Sequence, residues 1–144
     1  MKRHGTLTPL SREHHSALIL AQLLKKGAPA YKGLPTGNAE KIMYAQKMFH
    51  NSLKEHFKKE ELLINNVQHC HEDIQKLGKE IFIEHEQLTR SFLNLDKATD
   101  PVESMDELGS ALDAHIRKEE RVLFPLVQEH CPEKDLTEIS ILLQ

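Results

Sequence analysis

Four long segments of the chain carry apolar residues at steps of three and four, and a histidine interrupts each of these stripes. Such spacing is typical of amphipathic helices that bury one face. The interrupting residues are His14, His56, His85 and His115, and apolar residues continue the same face on both sides of each one. A buried face does not accept titratable side chains unless they have partners. The pattern therefore predicts a helical core that contains a layer of partnered polar residues.

Proline, glycine and short polar runs divide the 144 residues into helices. Thr8 and Asn38 are predicted as N-caps, and Asp100-Pro101 is predicted to open the fourth long helix. The four long helices are expected over residues 9–26, 39–68, 72–95 and 101–130, with a short final helix over 135–144. Pro125 predicts a kink or a tightened turn near the end of the fourth helix.

The fold class that follows is all-α, because β-branched and aromatic residues never alternate over a useful length. Short connections between the second, third and fourth helices are typical of antiparallel neighbours. We therefore expect one domain over residues 1–144, an antiparallel up-down-up-down four-helix bundle with a short C-terminal extension.

Composition and charge exclude several classes of function. Hydrophobic residues make up 39% of the chain and the formal charge is −3, which fits a packed domain and argues against a general nucleic-acid binder. No apolar run approaches the ~20 residues that span a bilayer, and no hydrophobic signal region follows the polar start. We therefore expect no nucleic-acid or membrane partner, and a cytoplasmic location.

The polar layer also contains two glutamates. Glu60 follows His56 and Glu119 follows His115 by four residues, which places each pair on one side of its helix. At ~1.5 Å per residue, the histidines of the last three long helices fall within about 5 Å of one height in an antiparallel bundle. On the fourth long helix, the apolar stripe is expected to resume after Glu119, at Val122 and Leu126.

Buried carboxylates at this level require positive charge, and no lysine or arginine occupies the stripes there. Divalent metal ions supply that charge. The candidate ligands are His14, His56, Glu60, His85, His115 and Glu119. Six nitrogen and oxygen donors exceed the needs of one tetrahedral zinc and suit two six-coordinate ions bridged by carboxylates. Iron is favoured, while manganese, zinc and a metal-free polar network are the alternatives.

Four motifs carry a resemblance to a known family: REHH in the first helix, HFKKEE from His56, EHEQL around His85 and HIRKEERVLFP from His115. With them the chain resembles the hemerythrin-like, or HHE cation-binding, domain over nearly its whole length. The resemblance implies a four-helix bundle with a non-haem di-iron centre. It implies that Glu60 and Glu119 bridge the two irons and that His14, His56, His85 and His115 are terminal ligands.

The chain also departs from the oxygen-carrying members of that family. They have two histidines one turn apart on the third helix, whereas His85 here is flanked at that spacing by Ile81 and Thr89. They use an aspartate five residues after the last histidine, where this chain has Glu119 after four. One iron would then have fewer protein ligands and more open positions, which disfavours stable oxygen carriage.

The function expected is therefore binding, sensing or reaction with dioxygen or a related ligand, such as another diatomic molecule or a peroxide. A binding or sensing protein is favoured over a dedicated enzyme, since the sequence identifies neither a substrate pocket nor an electron donor. The alternatives are an iron- or redox-responsive interaction module without turnover and a zinc-stabilised structural bundle. No protein partner is identified.

Several other residues remain open to two interpretations. His14 is preferred to His15 because Ala17 and Ala21 share its face. Glu61 and Glu120 are expected at a helix interface or on the surface, with hydrogen bonding to a ligand imidazole as the alternative. Cys70 and Cys131, each beside histidine, are expected to be solvated loop residues; a disulfide, a redox-sensitive thiol pair or a second, softer metal site is the alternative.

Overall fold

The regular elements of the protein are all helical in a computed structural model that describes residues 2–144. The α-helices are α1 (Thr8–Leu24), α2 (Asn38–Met48), α3 (Lys54–Val67), α4 (Glu72–Asn94), α5 (Pro101–Lys118), α6 (Phe124–His130) and α7 (Glu133–Leu142). Two π-helical turns, Phe49–Leu53 and Glu119–Leu123, join α2 to α3 and α5 to α6 into continuous rods. Four rods result, so the predicted all-α four-helix bundle is confirmed.

The helix starts follow local hydrogen bonding. The Asp100 side chain accepts from the backbone N–H of Glu103 (3.2 Å) and caps α5, as predicted. The prediction for Thr8 was wrong, because α1 begins at Thr8 and its hydroxyl donates to the carbonyl of His4 (3.0 Å). A backbone turn leads into the helix here, since the backbone N–H groups of Leu7 and Thr8 both donate to the carbonyl oxygen of His4. The prediction of Asn38 as an N-cap was also wrong, because Asn38 is the first residue of α2 and Gly37 occupies the N-cap position.

Two apolar clusters fill the bundle, one at each end, and every rod passes from one to the other at the polar layer. The first contains Phe49 and Phe92, whose rings stack with centroids 5.1 Å apart. The second contains Leu63, Ile74 and Phe124. Burial of each such side chain contributes roughly 1.5–3 kcal/mol, so the clusters hold the polar layer between them in a fixed position.

The second π-helical turn corrects the predicted register of the fourth rod. Val122 is 46% exposed, while Leu123 and Phe124 are fully buried. A π-helical turn includes one residue more than an α-helical turn, which shifts the buried face by one position after Glu119. Pro125 lies just after this turn and lacks the N–H that a regular α-helix would use. The turn at this end of the helix is therefore widened and not tightened.

The N-terminal segment and α7 cover the end of the bundle where α1 begins. Leu7 is fully buried, and the Thr6 hydroxyl donates to the carbonyl of Leu136 in α7 (2.9 Å). His14 lies near the start of α1 and still reaches the polar layer, because residues before the helix complete this end of the bundle. No helix in the described part of the chain is long and apolar enough to cross a membrane.

Candidate metal centre

The structure brings all six predicted site residues into one buried layer. They are His14 of α1, His56 and Glu60 of α3, His85 of α4, His115 of α5 and Glu119 of the second π-helical turn. Each is at most 3% exposed, and within residues 2–144 only Thr6 joins them as a buried polar residue. His15, the alternative to His14, is exposed. The bundle therefore places its buried ionisable groups at a single level.

The six side chains form two adjacent groups that share both carboxylates. One group is His14, His56, Glu60 and Glu119; the other is Glu60, His85, His115 and Glu119. Within each group, one donor atom from every residue lies within 4.8 Å of the others. Each group thus offers two imidazoles and two shared carboxylates. The two groups therefore have the same number of potential ligands, whereas the sequence predicted fewer protein ligands for one of the two ions.

Glu60 turns its two carboxylate oxygens toward different groups. Oε2 lies 2.9 Å from Nε2 of His14 and 2.9 Å from Nε2 of His56. Oε1 lies 3.0 Å from Nε2 of His85. A carboxylate placed in this way can donate one oxygen to each of two neighbouring cations.

Glu119 lies across the layer from Glu60 and has no hydrogen-bond partner on either oxygen. Its Oε1 is 3.2 Å from Nε2 of His14 and 3.3 Å from Nε2 of His115, without hydrogen-bond geometry. Nε2 of His56 and of His115 is unpartnered too, despite the short distance from His56 to Glu60. A buried polar atom without a partner costs about 1–3 kcal/mol, so these atoms fit ligands to a cation better than a closed hydrogen-bond network.

Each of the four imidazoles in the layer has its outer nitrogen, Nδ1, beside the carboxylate of a further glutamate. The Nδ1 atoms of His14, His56, His85 and His115 lie 2.7, 3.2, 2.8 and 2.7 Å from carboxylate oxygens of Glu120, Glu13, Glu61 and Glu84. An ionised carboxylate only accepts hydrogen bonds, so each Nδ1–H must donate. This fixes the tautomer and turns Nε2 toward the centre, an arrangement that metal-binding histidines commonly have.

These outer carboxylates revise part of the sequence interpretation. Glu61 and Glu120 contact imidazoles of the layer, which agrees with the alternative stated for them and not with a position on the surface. The sequence interpretation missed Glu13 and Glu84. A signal was present, because Glu13 and Glu84 immediately precede His14 and His85, and each bonds a histidine of a neighbouring helix.

The electrostatics of the layer favour a positive charge inside it. Burial opposes charge on His14, but the nearby Glu119 and other carboxylates raise its pKa to about 11. Burial also opposes charge on His56 and His115, yet Glu60 and Glu119 respectively raise their pKa values to about 9 and about 10. Burial disfavours ionisation of Glu60, but the surrounding imidazoles hold its pKa well below its usual range. Protons on the imidazoles or metal ions can supply the charge that the carboxylates require.

A surface cavity of about 410 Å³ gives access to one side of the layer. His85 lines it, and the aromatic rings of Phe49 and Phe57 form its apolar wall. Phe57 stacks on His85 with ring centroids 4.2 Å apart. The charged residues that line the cavity are Lys54, Lys58, Glu61, Glu86 and Arg90, so its rim carries both signs of charge. A small molecule in this cavity would lie next to His85, whose side chain is almost fully buried.

The fold and the site define a four-helix-bundle protein with two adjacent buried groups of histidine and glutamate that could hold metal ions. The donor set is nitrogen and oxygen, and two adjacent groups share their carboxylates, which suits two cations. Residues 5–127 match the family model described as Hemerythrin HHE cation binding domain. The chain belongs to this family. Searches of curated proteins and of solved structures gave no match.

Proposed function

We propose that the layer holds two iron ions bridged by Glu60 and Glu119, and that the protein binds, senses or reacts with dioxygen or a related small ligand. The observation that carries this proposal is the pair of adjacent groups, each with two imidazoles, that share both carboxylates. Four protein donors per ion leave about two positions of a six-coordinate iron for water or a small ligand. Iron, when bound, supplies reversible one-electron chemistry at those positions.

The protein side chains would control which molecules reach the centre. Phe57 stacks on His85, and Phe124 stacks on His14 with centroids 5.7 Å apart, so aromatic rings cover the imidazoles on two sides. The layer is shielded from bulk solvent, since its residues are at most 3% exposed. The cavity beside His85 is the access route that we assign to the ligand. These features favour a diatomic molecule or a peroxide over a bulky substrate.

The four outer glutamates would hold the imidazoles ready for the metal. Because each Nδ1–H donates to a carboxylate, the ring cannot rotate freely and Nε2 stays directed at the centre. The same carboxylates increase the basicity of the imidazoles, which stabilises a more oxidised and more positive metal. We expect this support to favour redox reaction or sensing over simple storage of a ligand.

The decisive experiment is to load the protein with ferrous iron without oxygen, remove unbound iron by desalting, and measure iron per chain. We expect about two irons per chain and new charge-transfer absorption after oxygen is admitted. His14→Ala is the test variant and His15→Ala is its matched control, because the two histidines are adjacent but only His14 is buried. His14→Ala should lose iron and His15→Ala should keep it.

Three outcomes would contradict the proposal in whole or in part. Selective retention of zinc, with no iron bound under reducing conditions, would indicate a structural zinc site. Equal iron content in the His14→Ala and His15→Ala variants would show that the metal binds elsewhere. If iron binds but oxygen leaves the spectrum unchanged, the dioxygen part of the proposal is wrong and an iron-responsive interaction module becomes the better description.

A further inference from the structure

A second cluster of potential metal ligands lies at the end of the bundle where the turn after α3 meets the start of α7. The Cys70 thiol is 3.8 Å from Nε2 of His69 and 3.9 Å from Oδ2 of Asp135. The same nitrogen and oxygen of His69 and Asp135 are 3.5 Å apart. Sulfur, nitrogen and oxygen donors therefore form a nearly equilateral triangle.

The second cysteine of the chain, Cys131, is not one of the three clustered donors. Burial raises the pKa of its thiol. Cys70 packs against the apolar cluster that contains Cys131. Both cysteines are free thiols. The expectation that these cysteines are solvated loop residues is wrong for Cys131, which is 7% exposed.

The dimensions of the triangle match a tetrahedral ion. With zinc bonds of roughly 2.3 Å to sulfur and 2.0–2.2 Å to nitrogen or oxygen, tetrahedral angles place the donors about 3.4–3.6 Å apart. The observed separations of 3.5 to 3.9 Å need only a small inward movement of the side chains. A calcium or magnesium ion would instead prefer six or more oxygen ligands, which this cluster lacks.

We propose that His69, Cys70 and Asp135 bind one thiophilic divalent cation, with Zn²⁺ as the preferred ion. Binding would replace the thiol proton of Cys70, which passes to solvent as the sulfur becomes a ligand. A thiolate, an imidazole and a carboxylate are donors that zinc accepts, and water would supply the fourth position of the tetrahedron.

This site is separate from the dinuclear centre. Glu60 precedes Gln68 by eight residues of nearly continuous helix, which is about 12 Å along the axis. The donors of the central layer include no sulfur, whereas the second cluster contains the Cys70 thiol. Occupation of one site therefore does not require the other, and the second site does not depend on the proposed function.

The second site would attach the C-terminal helix to the bundle. His69 and Cys70 lie in the turn between α3 and α4, whereas Asp135 lies in the first turn of α7. The family match ends at residue 127, so the cation would join the family domain to the segment that follows it. Without the cation, α7 is held by its buried side chains Leu136 and Ile139 and by the bond from Thr6. We infer that the cation stabilises the docked position of α7.

Cobalt titration of the reduced full-length protein, loaded first with iron, tests the site directly. The two cysteines are the only thiols in the chain, so thiolate-to-cobalt charge transfer reports this cluster and not the sulfur-free centre. We expect one Co²⁺ per chain with tetrahedral absorption, displaced by one equivalent of Zn²⁺. Cys70→Ser should weaken binding at least about tenfold, since loss of a supporting group alone costs 10–100-fold in known sites.

Two further variants keep the test interpretable. Asp135→Asn should weaken cobalt binding while it leaves the Cys70 thiolate in place. Glu72→Gln, which changes an exposed carboxylate beside the same turn, should leave cobalt binding unchanged. Iron content should stay the same in all variants, which shows that the bundle is folded. Absence of thiolate charge transfer in the reduced wild-type protein would overturn the proposal. Formation of a Cys70–Cys131 disulfide that zinc does not prevent would also overturn it.

Discussion

Glu84 and His115 lie on neighbouring helices, and Nδ1 of His115 donates a hydrogen bond of 2.7 Å to the Glu84 carboxylate. Lys118 also donates to Glu84. The bond from His115, together with Lys118, outweighs partial burial and lowers the pKa of Glu84 to about 2. Glu84 is therefore ionised throughout the neutral range. It fixes the ring of His115 from outside while Nε2 faces the centre.

The first prediction concerns this outer carboxylate. Glu84→Ala should reduce iron affinity by about 10–100-fold, because His115 loses the partner that sets its orientation and basicity. Glu84→Gln should lose less iron affinity, since the amide oxygen can still accept the hydrogen bond from Nδ1 of His115. Iron affinity is measured by competition with a chromophoric chelator under anaerobic conditions.

Glu86→Ala serves as the control for that series, because Glu86 is on the same helix and is exposed. It should bind iron like the wild-type protein. Equal affinities of the Glu84→Ala and Glu86→Ala variants would show that the outer carboxylate does not support the metal.

The second prediction separates the shared ligands from the unshared ones. Glu119 belongs to both groups, whereas His56 belongs to one. Glu119→Ala should therefore lower the occupancy of both ions, while His56→Ala should lower mainly one and leave an iron content closer to one per chain. Metal analysis after desalting measures the difference. His50→Ala and Glu55→Gln, both exposed and in the same rod, are the controls; identical losses in the two test variants would argue against a bridging role for Glu119.

The sequence predicted which residues lie in the buried polar layer better than it predicted how their side chains are held. Inward positions follow from helical periodicity, which is why His56, Glu60 and His85 could be placed on the core face in advance. The π-helical turn at Glu119 could not be seen in that pattern, because it changes the register by one residue and depends on tertiary packing. The partners of Glu13 and Glu84 are on other helices, and their pairing depends on helix rotation that a single sequence does not specify.

The third prediction is a pH dependence of the metal-free protein. The pKa values of His14, His56 and His115 rise from 6.5 to about 11, 9 and 10 in the folded chain. Raised values mean that protonation stabilises the fold fully below about pH 6.5, and that this contribution is lost as pH rises toward the folded-state pKa values. The free energy of unfolding should therefore fall by about 1 kcal/mol or more per pH unit between pH 7 and 9.

Urea unfolding of the chelator-treated protein at several pH values measures this slope. The iron-loaded protein should show a smaller slope, because metal replaces the protons on the imidazole nitrogens. For the same reason, iron binding near pH 7 should release protons, and the affinity for iron should increase as the pH rises. Metal-free His14→Ala should show a shallower slope than metal-free His15→Ala, its adjacent and exposed control. Stability that increases from pH 7 to 9 in the metal-free protein would contradict the prediction.

The fourth prediction concerns the close approach of α1 and α5, the helices that carry His14 and His115. A Cβ atom at Gly109 would lie 2.6 Å from the backbone carbonyl oxygen of Ala21, which cannot move without displacing α1. Gly109→Ala should therefore destabilise the protein by about 1–3 kcal/mol, although alanine has the higher helix propensity. Gly5→Ala is the control, since nothing lies within 4 Å of its added methyl group. Thermal unfolding should show a lower melting temperature for Gly109→Ala alone; equal values would mean that the two helices can separate slightly without loss of stability.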